Sequence, residues 1–449
     1  MIVMKFGGSS VADASRVKEL SRLVSLELER RPVLVLSAMG DTTDHLLEAA
    51  EGARVDGPHT VEPSMERITE THLSAIKELG ISASIPEGGI KTLLSELGAL
   101  LAGVSLIGEL SPRSRDLLLS FGERLSVRIV ALYLSSLGIN ARAFDAWEAG
   151  LFSNSNRAGA ELLEDSWKTV PAALLPLVND GILPVVTGFI AKDKHGSVTT
   201  LGRGGSDLSA TFIAAACAAE EAQVWKDVDG IMTYDPRVIK SARPVPAVTY
   251  EEAAELAYFG AQVLHPRAML PCSKAGIPVR VKNSYNPSAP GTLISDSVEE
   301  TGAAVRALTS RRAVTLVDIV SARMVGQSGF LAEVFKSFAA RKISVDMVAT
   351  SEVSISVTLD SDNDLCGLKH ELSRIANVEA KSGKAIVTVV CAARRSSRIL
   401  ERVFALCAAL DVQVQMVSQG ASKVNVSFVV NEDEAERVVR ALHAEFFES

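Results

Sequence analysis

Aromatic side chains are scarce in this chain. Phe, Trp and Tyr make up 5% of 449 residues, although 47% are hydrophobic. A core that apolar and that poor in rings is built from Val, Ile, Leu and Ala, the composition of α/β packing, and the length suggests about three domains by the usual size prior. Only five cysteines occur (Cys217, Cys272, Cys366, Cys391, Cys407), scattered and without a C-x-x-C. That excludes a disulfide scaffold and a zinc ribbon and reads as mostly buried free thiols. The seven histidines show no metal-ligand spacing, and His265, just before Pro266, reads as structural. There is no G-x-x-x-x-G-K-[ST], so the chain is not a P-loop ATPase. No uncharged run approaches membrane-spanning length and no signal or transit pattern is present, so the expected location is cytoplasmic, with no membrane partner. Positive charge is in deficit: 46 Lys and Arg against 54 Asp and Glu leave a net charge of −8. That argues against nucleic acid as a partner. An anionic ligand would have to be met by local cations such as Lys5, Arg203, Lys226 and Arg237.

What the chain does have is a glycine-rich junction, Leu201-Gly202-Arg203-Gly204-Gly205-Ser206-Asp207, leading into an apolar run over 208–219 that reads as a buried helix. Such a turn leaves backbone N–H groups pointing outward and binds anions, phosphate above all. The plainer alternative is a tight turn with a capped helix, since Ser206 and Asp207 are good N-caps. A second glycine turn, Gly7-Gly8-Ser9-Ser10, ends a short strand at 2–6, and Lys5 stands beside it, within reach of a cradled phosphate. A third segment, Val224–Gly230, reads as a strand ending in an acidic loop, with Asp235-Pro236-Arg237 just beyond.

The wider pattern alternates. Expected strands at 32–37, 184–190, 224–225 and 278–281 are separated by helical stretches at 14–30, 64–79, 113–137 and 250–257. Buried strands alternating with helices predict a mostly parallel sheet covered on both faces. Residues 283–302 read as a partly strand-like linker, and a domain boundary is placed there. Beyond it a shift of 69 residues superposes Val334-Phe335 on Val403-Phe404, Ala339-Ala340 on Ala408-Ala409, Val345 on Val414, Met347-Val348 on Met416-Val417 and Val357 on Val426 without a gap. Each copy reads as a ferredoxin-like βαββαβ unit. The second copy lacks its closing strand, and the spare strand at 304–309 precedes the first. The first unit (313–382) is therefore expected to be inserted into the second (303–310 plus 385–449), after a catalytic domain over 1–300. Copy one carries Asp346, Ser351 and Glu352 where copy two has Gln415, Gly420 and Ala421, so a cationic ligand would favour copy one. The alternative is that Asp346 and Glu352 are ordinary exposed acids.

Lys5–Ser10, Val35–Ala38, Phe121-Gly122-Glu123, Leu201–Asp207, Trp225–Gly230 and Phe259–Pro266, in that order along the whole chain, resemble the aspartokinase family, in its single-function, lysine-sensitive form. The resemblance implies an amino-acid-kinase fold followed by paired ACT units that sense amino acids. It implies transfer of the ATP γ-phosphoryl group, with Mg²⁺ held mainly by phosphates and water, to the β-carboxylate of L-aspartate. Lys5 and Asp207 become the catalytic candidates. Arg203 pairs with the substrate α-carboxylate, Glu123 accepts its ammonium, and Ser37, Thr43, Phe189 and Ser206 line the pocket. Lys5, Gly7, Gly8, Ser9, Lys226, Asp227, Met232, Arg237 and Gln262 become nucleotide candidates, and no protein residue is named as a metal ligand. L-Lysine as allosteric inhibitor would meet Met324, Phe330, Leu331, Val345, Asp346, Thr350, Ser351 and Glu352. A homodimer or dimer of dimers through the ACT units is implied. Lys226, Met232 and Gln262 depart from the common enterobacterial pattern and look more like the plant and chlamydial type. Two rival readings are another amino-acid kinase and a catalytically dead sensor. The repeats and the 259–266 segment speak against the first, and intact Lys5, Glu123, Arg203 and Asp207 against the second.

Overall fold

The computed structural model describes residues 1–81, 89–259, 264–298, 305–326, 328–361, 365–391, 396–420 and 424–448. Gln262 and Ala421 lie outside them. The chain divides into two compact units. The first holds residues 1–231, 246–250 and 263–298, and the second holds 232–245, 251–262 and 299–449. The division is thus not a single cut near residue 300: two segments upstream of it belong with the C-terminal half.

In the first unit the strands are β1 (Ile2–Phe6), β2 (Val33–Leu36), β3 (Ala141–Phe144), β4 (Phe152–Ser153), β5 (Leu183–Thr187), β6 (Ile190–Asp193), β7 (Val198–Thr200), β8 (Glu221–Lys226), β9 (Ala247–Thr249), β10 (Val279–Asn283) and β11 (Thr292–Ser295). Eight of them form one sheet in the order β3-β5-β2-β1-β8-β10-β11-β9, and β4, β6 and β7 form a small second sheet. Every pair in the large sheet is parallel except β10 with β11. β1 and β2 are buried at every position, which is why their sequences are almost unbroken apolar runs. The expected linker at 283–302 contains β11, which returns antiparallel beside β10 and carries the edge strand β9 on its other side. The expected strand at 184–190 is two strands: Phe189 adopts φ +67 and turns the chain between β5 and β6.

The helices of the first unit are α1 (Ala14–Leu26), α2 (Thr42–Val55), α3 (Val61–Glu78), α4 (Ile90–Ile107), α5 (Pro112–Ser136), α6 (Ser166–Asn179), α7 (Gly205–Ala216) and α9 (Pro266–Ala275), while α8 (Tyr250–Phe259) runs almost wholly in a segment of the second unit. α1 starts where the Asp13 carboxylate accepts the Arg16 N–H at 2.9 Å, and its inward stripe is Val17, Leu20, Leu23 and Val24. α5 starts with Ser111 accepting the Ser114 N–H at 3.1 Å and with Pro112 in its first turn. His265 caps α9 through its ring Nδ1, which accepts the Arg267 N–H at 3.2 Å. α4 is the one described helix long and apolar enough to cross a membrane. Its Ile90, Leu93, Leu94, Leu97, Leu101 and Val104 are buried in the core of this unit, as in a core helix.

The second unit contains β12 (Val305–Val320), α10 (Phe330–Ala340), β13 (Val348–Thr350), β14 (Ser354–Asp360), α11 (Leu365–Leu372), β15 (Asn377–Cys391), α12 (Ser396–Ala409), β16 (Met416–Ser418), β17 (Asn425–Asn431) and α13 (Glu432–His443). Its sheet runs β13-β14-β12-β15-β17-β16. β12 and β15 are long enough to serve both repeats. The first half of β12 pairs with the second half of β15, and the halves exchange roles beyond register shifts between Arg311 and Leu316. Strand 305–309 therefore lies beside 388–391, next to the strands of the second repeat. Met347 and Met416, equivalent under the 69-residue shift, meet in one small core with Val314, Leu316, Ile386 and Val429.

Phe338 is 2% exposed and sits with Val317, Ile355 and Val357 under α10. Phe338→Ala should destabilise the second unit by about 3–5 kcal/mol. Urea unfolding followed by circular dichroism checks it, as an earlier transition for that unit with the first unit's transition unmoved.

Candidate active site

The parallel strands deliver their C-terminal ends to one place, where α/β sheets bind ligands. Lys5 is on β1, Ser37 follows β2, Phe189 follows β5, and α7 begins at Gly205. A cavity of about 410 Å³ opens there. Lys5, Ser37, Thr43, Glu123, Phe189, Arg203, Ser206 and Asp207 all line it, so the structure brings together every catalytic and substrate candidate read from the sequence. Gly8, Ala38, Gly40 and the backbone of Gly202–Gly205 complete the wall.

Two buried carboxylates in this cavity are treated oppositely. Asp207 Oδ1 is 2.6 Å from Lys5 Nζ and its Oδ2 is 3.2 Å from Lys226 Nζ. Burial pushes Asp207 up, but the two lysines outweigh it and hold the carboxyl below the usual range. Burial also pushes the Lys5 ammonium below its ordinary value, against the pull of Asp207. Glu123 instead has one partner: Oε1 accepts the Ala38 N–H at 3.2 Å, and Oε2 is buried with no hydrogen-bond partner. Burial pushes this carboxyl up to about 8. A buried acid oxygen left open in a cavity is a site prepared for a cation. Gly122 explains how α5 comes close enough: a Cβ there would lie 2.7 Å from the Ala38 Cβ.

Phe189 holds a left-handed backbone that a bulky side chain rarely adopts, and such strain concentrates at functional sites. Ser37 Oγ donates to Ser206 Oγ at 3.1 Å across the cavity. Arg203 is exposed on the turn, its guanidinium free to face a ligand.

The nucleotide candidates are less gathered. Lys226 reaches the site through Asp207, and Gly8 lines the cavity. The Gly7 N–H, expected to face a phosphate, donates to Trp225 O at 3.3 Å and so serves the β1–β8 pairing. Ser9 is exposed and its carbonyl accepts from Tyr285. Asp227 is exposed. Met232 and Arg237 belong to the second unit, where Arg237 is 89% exposed at its side chain and paired with Asp235 at 2.7 Å. Among the described residues no cluster of three His, Cys, Asp or Glu could hold a metal ion. The acid on the phosphate side, Asp207, is taken by lysines.

In the second unit the effector candidates fall on two segments, 324–331 and 345–352. Phe330 is buried in the copy-one core, with Met324 and Val345 packed against it. Leu331, Thr350, Ser351 and Glu352 are exposed. Asp346 is half engaged: its Oδ1 accepts from Arg311 Nη1 at 2.8 Å and from Tyr258 OH at 3.1 Å, its Oδ2 is buried with no hydrogen-bond partner, and its side chain is 4% exposed. The sequence reading missed both partners, which lie 35 and 88 residues away.

Comparison with known proteins accords with this arrangement. Residues 1–283 match the amino acid kinase family, and residues 317–364 and 387–446 match the ACT domain. The chain is 50% identical to "Aspartokinase 1, chloroplastic" of Arabidopsis thaliana, over all of this chain and 80% of that protein. It is 35% identical to "Lysine-sensitive aspartokinase 3" of Escherichia coli, over all of this chain and 99% of the other. The crystal structure of E. coli aspartokinase III with aspartate and ADP (R-state) superposes with a TM-score of 0.83 at 34% identity, and that of the complex with lysine and aspartate (T-state) with 0.81 at 35%; all of this chain is covered in both, against 100% and 99% of theirs. Identity of this level, carried along the whole chain and through both the kinase part and the ACT repeats, shows that the chain belongs to the aspartokinase family.

Proposed function

We propose that the enzyme transfers the γ-phosphoryl group of Mg²⁺-bound ATP to the β-carboxylate of L-aspartate, giving 4-phospho-L-aspartate for lysine, threonine and methionine biosynthesis. The observation that carries this reading is the set of charges lining one cavity: Lys5, the α7 N-terminus and Arg203 as anion partners, with a buried Glu123 oxygen that lacks one. A phosphate and an α-carboxylate need the first three, and an ammonium needs the last. The nucleophile is a carboxylate, already ionised, so no general base is required. The work is to hold two anions in line and offset charge on the transferring oxygens. Lys5 supplies that offset, Asp207 fixes Lys5, and Lys226 adds a second positive charge at the same edge. Arg203 takes the α-carboxylate by its planar fork, and Glu123 takes the ammonium. The buried free cysteines fit a reducing compartment such as the cytoplasm. The direct test is an ATP-coupled hydroxamate assay offering aspartate, glutamate and acetylglutamate; turnover of aspartate alone supports the reading, and preference for either other acid overturns it.

Feedback inhibition by L-lysine at copy one belongs to the same reading. Glu352 and Asp346 would receive the two ammonium groups, the second at the unpartnered Oδ2 of Asp346. The relative from E. coli that matches along its whole length binds lysine. We also read the second unit as the dimer contact. Val348 and Val417, equivalent in the repeat, are 40% and 37% exposed on the edge strands β13 and β16, the place where another copy's backbone can add on.

Three outcomes are expected. Lys5→Ala should lower kcat by about a hundredfold or more with little change in aspartate KM, because its charge acts mostly in the transition state; steady-state kinetics read this directly. The second concerns pH. Glu123 must be ionised to accept an ammonium, and an acid raised to about 8 gains its charge as pH rises through that value. Aspartate KM should therefore fall between about pH 6.5 and about pH 8 and level off above, and Glu123→Gln should abolish that slope. Third, Glu352→Lys should leave uninhibited turnover intact and raise the lysine inhibition midpoint about tenfold or more, near 1.4 kcal/mol, measured by dose–response.

A further inference from the structure

We propose that Arg157 and Asp116 are positioning residues for the amino-acid substrate, a strap that fixes Arg203 at a set distance from Glu123. This rests on the reading of Arg203 and Glu123 as the two substrate anchors. Arg203 stands on a turn whose flanking residues, Gly202 and Gly204, have φ of +76 and +70. A long exposed side chain on so permissive a backbone is aimed only as well as that backbone is held.

The holding group is a buried network outside the cavity. Asp116 is 1% exposed, and its Oδ1 accepts the Thr200 hydroxyl at 2.7 Å, one residue before the turn begins. Arg157 Nη1 lies 3.6 Å from the other Asp116 oxygen and donates to Val198 O at 2.8 Å, while Nη2 donates to Asp193 Oδ2 at 3.2 Å. One guanidinium thus ties the β6–β7 hairpin to α5. The loop carrying it also lies on the turn. Ala158 has a left-handed φ of +58, and a Cβ on Gly202 would stand 3.1 Å from the Ala158 carbonyl. The Ala160 N–H donates to Thr200 O at 2.9 Å, so backbone and side chain of Thr200 are both fixed.

The point of the network is which helix it uses. Asp116 and Glu123 are seven residues apart on α5, two turns and about 10 Å along one face. The same rigid rod therefore carries the ammonium acceptor and anchors the turn that carries the carboxylate donor. The spacing between the substrate's two anchors is set by one element rather than by two that drift independently.

The test uses the full chain with Arg157→Gln, Asp116→Asn and the milder Arg157→Lys. Kinetics are taken for both substrates alongside thermal unfolding. Arg157→Gln should raise aspartate KM about tenfold, with ATP KM and kcat within about threefold, and Arg157→Lys should raise it less. In an Arg203→Lys background Arg157→Gln should add less than about twofold, because both changes act on one contact. The proposal is overturned if the variants lower only the unfolding temperature, if both KM values rise together, or if the Arg157 and Arg203 effects multiply. Where Arg157→Gln does not fold, the Arg157→Lys result against the same background decides. Failure of the unmutated enzyme to phosphorylate aspartate would instead sink the substrate reading, and the strap would then be judged by the same KM split on the amino acid it does accept.

Discussion

A charge removed from water must be paired, and the placement of Asp207 between two lysines is the constraint on which the catalytic site depends. Lys5 and Lys226 stand at the C-terminal ends of neighbouring parallel strands, where the register sets Lys5 opposite Val224. Two ammonium groups at adjoining strand ends repel each other. The carboxylate on the first turn of α7, 2.6 and 3.2 Å from them, makes that arrangement stable. It leaves one net positive charge at the mouth of a helix whose own N-terminus favours anions. The Gly-rich turn, the buried helix after it and the apolar strands beside it are the means of bringing this one carboxylate to those two amines.

The second buried acid is useful because it lacks such partners. Asp207 stays ionised over the working range. Glu123, with one backbone donor and an open oxygen, is held near the point of ionisation. Two carboxylates in one cavity with pKa values pushed apart take different roles: one is fixed structure, and the other changes state with what binds. Under the proposed reading, the ammonium of the substrate supplies for Glu123 the counter-charge that the protein supplies for Asp207.

The candidates that gather in the cavity were legible in the sequence because each sits where a hydrophobic period breaks: a lysine ending an apolar strand, an acid within a buried helical face, a glycine run before another. The alternation of strands and helices likewise carried the parallel sheet, and the 69-residue self-match carried the paired repeats. Other features were hidden for physical reasons. Phe189 looks like a strand residue, and nothing in its type announces φ +67. Gly7 belongs to a phosphate-like motif, yet its N–H is taken by strand pairing, which depends on the partner strand and not on the motif. The association of 232–245 and 251–262 with the C-terminal unit is long-range packing with no local periodicity. Asp346 was visible as an acid, but its partners Arg311 and Tyr258 were not, because an ion pair across tens of residues leaves no spacing to read.

The two repeats also bear on how regulation can work. β12 and β15 each run through both copies, so neither copy can complete its sheet alone, and a change in one is carried by strands the other shares. Against that shared frame the charges are unequal. Copy one has Asp346, held by Arg311 on β12, where copy two has Gln415, so the buried acid occurs on one side only. A buried pair broken on one side is costly, whereas a pair absent on both sides is not. Copy two can therefore serve as stable scaffold. Copy one holds a carboxylate with Arg311 and the Tyr258 hydroxyl on one oxygen and no partner on the other. Under the proposed reading a cationic effector there adds to a charge already half compensated, so its net gain is small, and that is the kind of free energy that shifts a two-state equilibrium without locking it.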